Sequence, residues 1–213
     1  MFTGFFPETV DFLWGIRMNN NREWFTEHKQ DYVRYLYEPM KELGKALFEP
    51  FLDKPGTVRK VSRIYKDARL HPAGPYKESL WICIRQDGEG WEHRPCLYLE
   101  INPDEVHYGF FLWKMKTAAM EDFRKSITAR PEEFLTLIRS TEAAVGQPIT
   151  AQLYKRPKET ENPDLIPYFA WKEHIGCIRT IAPGEAMFSP GLKDEAADFF
   201  RKLTPLYEYF NQF

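Results

Sequence analysis

The chain reads as an α+β fold. Helical periodicity at both ends brackets a middle stretch of alternating apolar and polar residues, and the turns there are too short for parallel crossovers. The expected architecture is an antiparallel sheet, a meander of at least three strands, packed with flanking N- and C-terminal helices. No repeat, low-complexity tract or linker interrupts the 213 residues, so residues 1–213 are expected to form one domain.

Pro7 suits an early helix position, where its missing N–H costs nothing, and Val10, Leu13 and Trp14 follow at helical spacing. Asn19-Asn20-Asn21 ends that helix, since Asn tolerates left-handed turns and bonds its own backbone. A second helix starts near Arg22, with Trp24, His28, Tyr32 and Leu36 on one face. A kink or break is expected at Pro39 before Met40, Leu43 and Leu47 continue the stripe.

Residues 58–65 are strand-like. Residues 79–86, 96–102 and 106–113 alternate, separated by the turn signals Asp87-Gly88-Glu89-Gly90 and Asn102-Pro103-Asp104-Glu105. Helical patterns return at 118–128 and 131–143. A short strand is expected at 149–155, a loop at 155–163, a short helix at 165–174 and an edge strand at 177–181. A helix at 192–203 should end at Pro205. Trp14, Tyr32, Leu36, Phe123, Leu137, Phe199 and Leu203 are the expected core rings and aliphatics.

Hydrophobic residues make up 43% and aromatic residues 16%, enough for a substantial core rich in rings. The net charge of −2 speaks against a general polyanion binder, so any basic patch must be local. The opening Met1-Phe2-Thr3-Gly4-Phe5-Phe6 lacks the basic and long apolar regions of a signal peptide, and no run reaches a membrane span; a soluble, cytoplasmic protein is expected. Cys83, Cys96 and Cys177 are then expected as free thiols. They show no Cys-x-x-Cys spacing, and His28, His71, His93, His107 and His174 show no ligand spacing, so no metal is expected. No phosphate-binding glycine loop and no nucleophile elbow is present, and no cofactor is expected.

One segment departs from this even charge. Residues 59–77 hold six basic residues (Arg59, Lys60, Arg63, Lys66, Arg69, Lys77) and the single acid Asp67. Arg63, Tyr65, Asp67 and Arg69 share a face if the strand extends that far. Two guanidiniums flanking a phenol and a carboxylate can grip a phosphate or carboxylate, with Asp67 fixing the Arg geometry. Pro72, Gly74 and Pro75 form a tight turn that presents Tyr76 and Lys77. The bland reading is a structural ion pair between Asp67 and Arg63 or Arg69.

The string Ser62-Arg63-Ile64-Tyr65-Lys66-Asp67-Ala68-Arg69, with Gly74-Pro75-Tyr76-Lys77, resembles the central motif of the bacterial and fungal domain-of-unknown-function 2461 family. Asn19-Asn20-Asn21-Arg22-Glu23-Trp24-Phe25 resembles that family's N-terminal motif. Tyr98-Leu99-Glu100-Ile101, Gly109-Phe110 and Lys155-Arg156-Pro157-Lys158 resemble later ones. The resemblance spans nearly the whole chain. It departs at residues 69–74, where the family has Arg-Phe, an acid and a Lys, and at Glu159-Thr160, where Gly-Tyr is usual. It implies a fold more than a reaction.

The candidate ligand-binding residues are therefore Arg63, Tyr65, Asp67, Arg69, Tyr76 and Lys77, with Arg22, His107, Lys155 and Lys158 as secondary candidates. Three function classes fit them. The first is a domain, enzymatic or not, for an anionic small molecule, with Tyr65 or Asp67 moving any proton. The second is a nucleic-acid module in which Trp81 or Tyr76 stacks on bases, which the net charge disfavours. The third is an interaction domain with an acidic partner. Nothing in the sequence sets the oligomeric state.

Overall fold

Pro7 starts α1 (Pro7–Met18), and Asn21 caps α2 (Arg22–Glu27) by accepting a hydrogen bond from the Trp24 amide at 2.9 Å. A short α3 (Lys29–Asp31) runs into a π-helical stretch, Tyr32–Tyr37, and then into α4 (Glu38–Phe48). The computed structural model describes residues 1–67, 69, 74–156 and 158–213. The expected turn residue Pro72, together with His71 and Pro157, lies outside them.

The kink expected at Pro39 takes the form of that π-helical stretch. Pro39 has no N–H to offer the Tyr35 carbonyl four residues back. The chain widens just before it, and the Glu38 amide bonds the Val33 carbonyl, five residues back. The fully buried Thr9 hydroxyl donates to the Tyr35 carbonyl and accepts from the Phe6 amide.

The strands are β1 (Thr57–Val61), β2 (Leu80–Gln86), β3 (Cys96–Ile101) and β4 (Val106–Leu112). Two helices follow, α5 (Thr117–Ala129) and α6 (Pro131–Val145), and then β5 (Thr150–Leu153), a short α7 (Ile166–Phe169) and β6 (Trp171–Ile181). A short α8 (Glu185–Phe188) and the long α9 (Gly191–Phe210) complete the order. The strands form one six-stranded antiparallel sheet in the order β1-β2-β3-β4-β6-β5. The expected α+β class and the meander β2-β3-β4 are therefore observed.

Four expectations are corrected. The strand expected over 58–65 ends at Val61, and Tyr65 instead makes an isolated bridge to Tyr76. The helix expected over 165–174 stops at Phe169, and β6 begins at Trp171, where the backbone pairs with β5: Trp171 opposite Leu153 and Glu173 opposite Gln152. β6 is also interior rather than an edge; β5 forms the edge beside it. Finally, α9 runs through Pro205. The lost bond and ring clash cost about 3 kcal/mol, but Leu206, Tyr207 and Phe210 beyond it are all buried at about 1.5–3 kcal/mol each.

The chain divides into two compact units. One comprises Met1–Ile84, Tyr98–Tyr108 and Arg179–Ala197; the other comprises Arg85–Leu97, Gly109–Ile178 and Asp198–Phe213. β2, β3, β4 and β6 each contribute residues to both.

In the first unit α4 packs on the sheet through Gly44, against Val61 and Ile82. Glu195 of α9 accepts hydrogen bonds from Tyr108 Oη at 2.6 Å and Arg179 Nη1 at 3.3 Å. Burial, then the Glu195 bond, pushes the Tyr108 phenol pKa up, so it stays protonated. The inner stripe of α1 is Thr9, Phe12, Leu13 and Ile16. Trp14 is 39% exposed with the Arg17 guanidinium over its ring, which corrects the core expectation there.

In the second unit Phe123, Phe134, Trp171 and Phe210 form the ring cluster. Leu137 sits at the rim, while Phe134, Leu135 and Ile138 face inward. Gly109 (φ 155°) is required by close approach: a Cβ there would stand 2.1 Å from the Cys177 carbonyl oxygen. Cys83, Cys96 and Cys177 form no disulfide.

Candidate functional site

The site lies in the first unit, and the three asparagines build it. Asn19 Nδ2 donates back to the Gly15 carbonyl and Asn21 caps α2. That leaves Asn20 to reach across the chain. Its Nδ2 donates to the Tyr76 carbonyl at 3.0 Å, and its Oδ1 accepts from the Tyr76 amide at 3.0 Å. The side-chain amide thus pairs with Tyr76 as a neighbouring strand would.

Opposite it, Tyr76 bridges Tyr65. The Lys66 amide donates to the Pro75 carbonyl at 2.8 Å and the Lys77 amide to the Ile64 carbonyl at 2.7 Å. Beneath lies an aromatic floor. Phe25 stacks on Tyr76 at 4.2 Å and 23° and meets Tyr65 edge-on at 5.7 Å. Tyr32 packs against Phe25 and Phe12 and holds a hydrogen bond at the Ile64 backbone. Gly15 lets α1 close on Trp24, since a Cβ would fall 2.3 Å from the indole. Trp24 also stacks on His28 at 4.0 Å, a packing role rather than a free platform.

The structure divides the expected residues. Arg22, Tyr65 and Tyr76 come together: the Tyr76 phenol pKa is raised by burial and then by Tyr65, while the nearby Arg22 guanidinium pulls it down. Arg63 stands two residues before Tyr65 across a bend at Ile64; both are exposed, while Ser62 and Ile64 are buried. Lys77 goes to a different neighbourhood. Its Nζ lies 5.6 Å over the Trp81 ring, and its pKa is lowered by burial and then by Lys60, with Glu100 opposing.

Arg69 folds back on Asp67. Its amide, Nε and Nη2 all donate to that carboxylate, at 3.0, 3.0 and 2.7 Å. Its side chain remains 87% exposed. His107 is held by Thr180 Oγ1 and Glu105, each at 3.0 Å. Lys155 and Lys158 are exposed and belong to the second unit.

Charge compensation separates Arg17 from Arg22 and Arg63. Arg17 donates to Glu78 and Asp104, both at 2.8 Å, and its pKa is raised by them, Asp104 first. Neither Arg22 nor Arg63 has a carboxylate partner among the described residues. Sequence reasoning put Asn20 in the turn after α1 and Tyr32 in the core, but did not connect them, or Phe25, to the segment that they hold in place. The run of three asparagines carried a signal: one turn needs two of them at most. Among the described residues no group of three or more His, Cys, Asp or Glu is placed to hold a metal ion. No helix among them is long and apolar enough to cross a membrane.

The family model described as a conserved hypothetical protein (DUF2461) matches residues 8–209. The chain belongs to that family. The match takes in both halves of the Asn20–Tyr76 pair, so the site lies wholly within the family's domain. No curated protein matches the chain.

Proposed function

We propose that this member of the DUF2461 family binds a small phosphate- or carboxylate-bearing molecule at Arg22, Arg63, Tyr65 and Tyr76. The reading is carried by the Asn20–Tyr76 pair, which joins two segments with uncompensated arginines. Clustered cations repel one another, and an anion between them removes that repulsion. The Tyr76 phenol keeps its proton across neutral pH and can donate to the anion beside the guanidiniums. Asp67 and Arg69 form the exposed rim, and Lys77 with Lys60 adds positive potential from the Trp81 side.

The test is a calorimetric titration of the full chain with inorganic phosphate, pyrophosphate and citrate, repeated on Arg22→Gln and Arg63→Gln. The expected result is binding of at least one anion, weakened about tenfold or more in each variant, as loss of a charged hydrogen bond requires. Both variants should stay folded, since each removes an exposed charge with no carboxylate partner among the described residues. Binding by both variants equal to that of the parent chain would overturn the reading.

A further inference from the structure

In the first unit one face of the sheet lies under α4 and the other is half-exposed. We propose that Lys77, on the half-exposed face, is a nucleophilic amine that condenses with an aldehyde or ketone to form a Schiff base.

Strand alternation places the residues. Gly44 of α4 stands against Val61 and Ile82, so those side chains fill the covered face. Lys60 and Trp81, each one residue earlier, take the opposite face. On β3, Leu99 and Ile101 are fully buried while Tyr98 and Glu100 are half-buried, which continues the same alternation. The Lys77 Nζ lies 5.6 Å over the Trp81 ring and so joins this face. Lys60 of β1, Cys83 of β2, Tyr98 and Glu100 of β3 and His107 of β4 are the titratable groups that share it in this unit. Glu78, the next residue along the chain, is engaged by Arg17.

These neighbours set the chemistry. An ordinary lysine titrates near about 10.4, so at neutral pH its lone pair carries a proton. Lys77 has no ion-pair partner among the described residues. Burial first and Lys60 second disfavour its charged form, with Glu100 opposing them. Partial desolvation beside a second cation is a recognised way to make a lysine reactive toward carbonyl carbon. The neutral amine adds its lone pair to that carbon, and the carbonyl oxygen takes up a proton to give a carbinolamine. Loss of water then leaves a carbon–nitrogen double bond, with nothing oxidised or reduced. The protonated imine keeps its positive charge over the indole, whose face attracts cations.

The probes are pyruvate, a ketone, and benzaldehyde, an aldehyde. Each is incubated with the full chain and sodium cyanoborohydride, which reduces the imine to a stable secondary amine, and labelled lysines are located by peptide mass spectrometry over a pH series. With at least one probe, Lys77 is expected to be labelled faster at neutral pH than the exposed Lys29 and Lys45, with its pH–rate curve displaced to lower pH. Lys60→Gln removes the neighbouring cation and should move that curve up in pH. Glu100→Gln removes the opposing carboxylate and should move it down. A lysine that only packs on Trp81 would show neither shift. Arg22→Gln and Arg63→Gln should leave the labelling unchanged, which separates this site from the one at Tyr76. Labelling of Lys77 no faster than that of Lys29 and Lys45 with both probes overturns the proposal, as do Lys60→Gln and Glu100→Gln curves that match the parent chain or move in the same direction.

Discussion

The Asn20 side chain and the Tyr76 backbone exchange two hydrogen bonds, each 3.0 Å long, across 56 positions of sequence. Asn20→Ala loses both and leaves the Tyr76 amide and carbonyl short of partners. The expected cost is about 2–3 kcal/mol, two ordinary bonds plus incomplete satisfaction. Asn20→Asp keeps the acceptor but turns an anionic oxygen toward the Tyr76 carbonyl, so it should not rescue the loss. Denaturant unfolding of both variants checks this; a cost below about 0.5 kcal/mol for Asn20→Ala would mean that Asn20 does not hold the segment.

Thr9 supplies the donor that Pro39 cannot. Thr9→Val keeps the shape but strands the Tyr35 carbonyl and the Phe6 amide, and is expected to destabilise by about 1–3 kcal/mol. Thr9→Ser keeps the hydroxyl and should recover most of that loss. If Thr9→Val is as stable as the parent chain while Thr9→Ser is not, the methyl group rather than the hydroxyl matters there.

β2, β3 and β4 were legible because one face of each is buried, so apolar residues recur with a period of two. α5 and α6 were legible in the same way at helical spacing. The Tyr65–Tyr76 bridge was not, because its register comes from Asn20, which no local pattern connects to Tyr76. β6 was read short because its first half carries Lys172, Glu173 and His174, polar residues that obscure the alternation. The end expected at Pro205 failed because burial of Leu206, Tyr207 and Phe210 outweighs the proline penalty. For the candidate site, sequence located the cations but not which were already paired: Arg69 is held by Asp67, whereas Arg63 is not.

Acid sensitivity follows from carboxylates held below their usual range. Asp198 is lowered by Lys202 first and then Arg201, and Glu173 is lowered chiefly by Lys172. A depressed folded pKa favours the native state above the unfolded value, about 3.9 for Asp and 4.3 for Glu. That contribution is lost as pH falls through the lower folded value. The denaturation midpoint should therefore fall as pH drops below about 4. Asp198→Asn is expected to flatten that acid limb; an unchanged limb would contradict the assignment.

The central claim is that Arg22 and Arg63, brought from two segments by the Asn20–Tyr76 pair, hold one anion. A double-mutant cycle measures it most directly: calorimetric affinity of the full chain, Arg22→Gln, Arg63→Gln and the double variant for the anion that binds best in the titrations above. Two groups on one anion should couple, with the double variant losing less than the two single losses added together, by about 0.5 kcal/mol or more. Losses that add within about 0.3 kcal/mol would place the two arginines at independent positions and contradict the account.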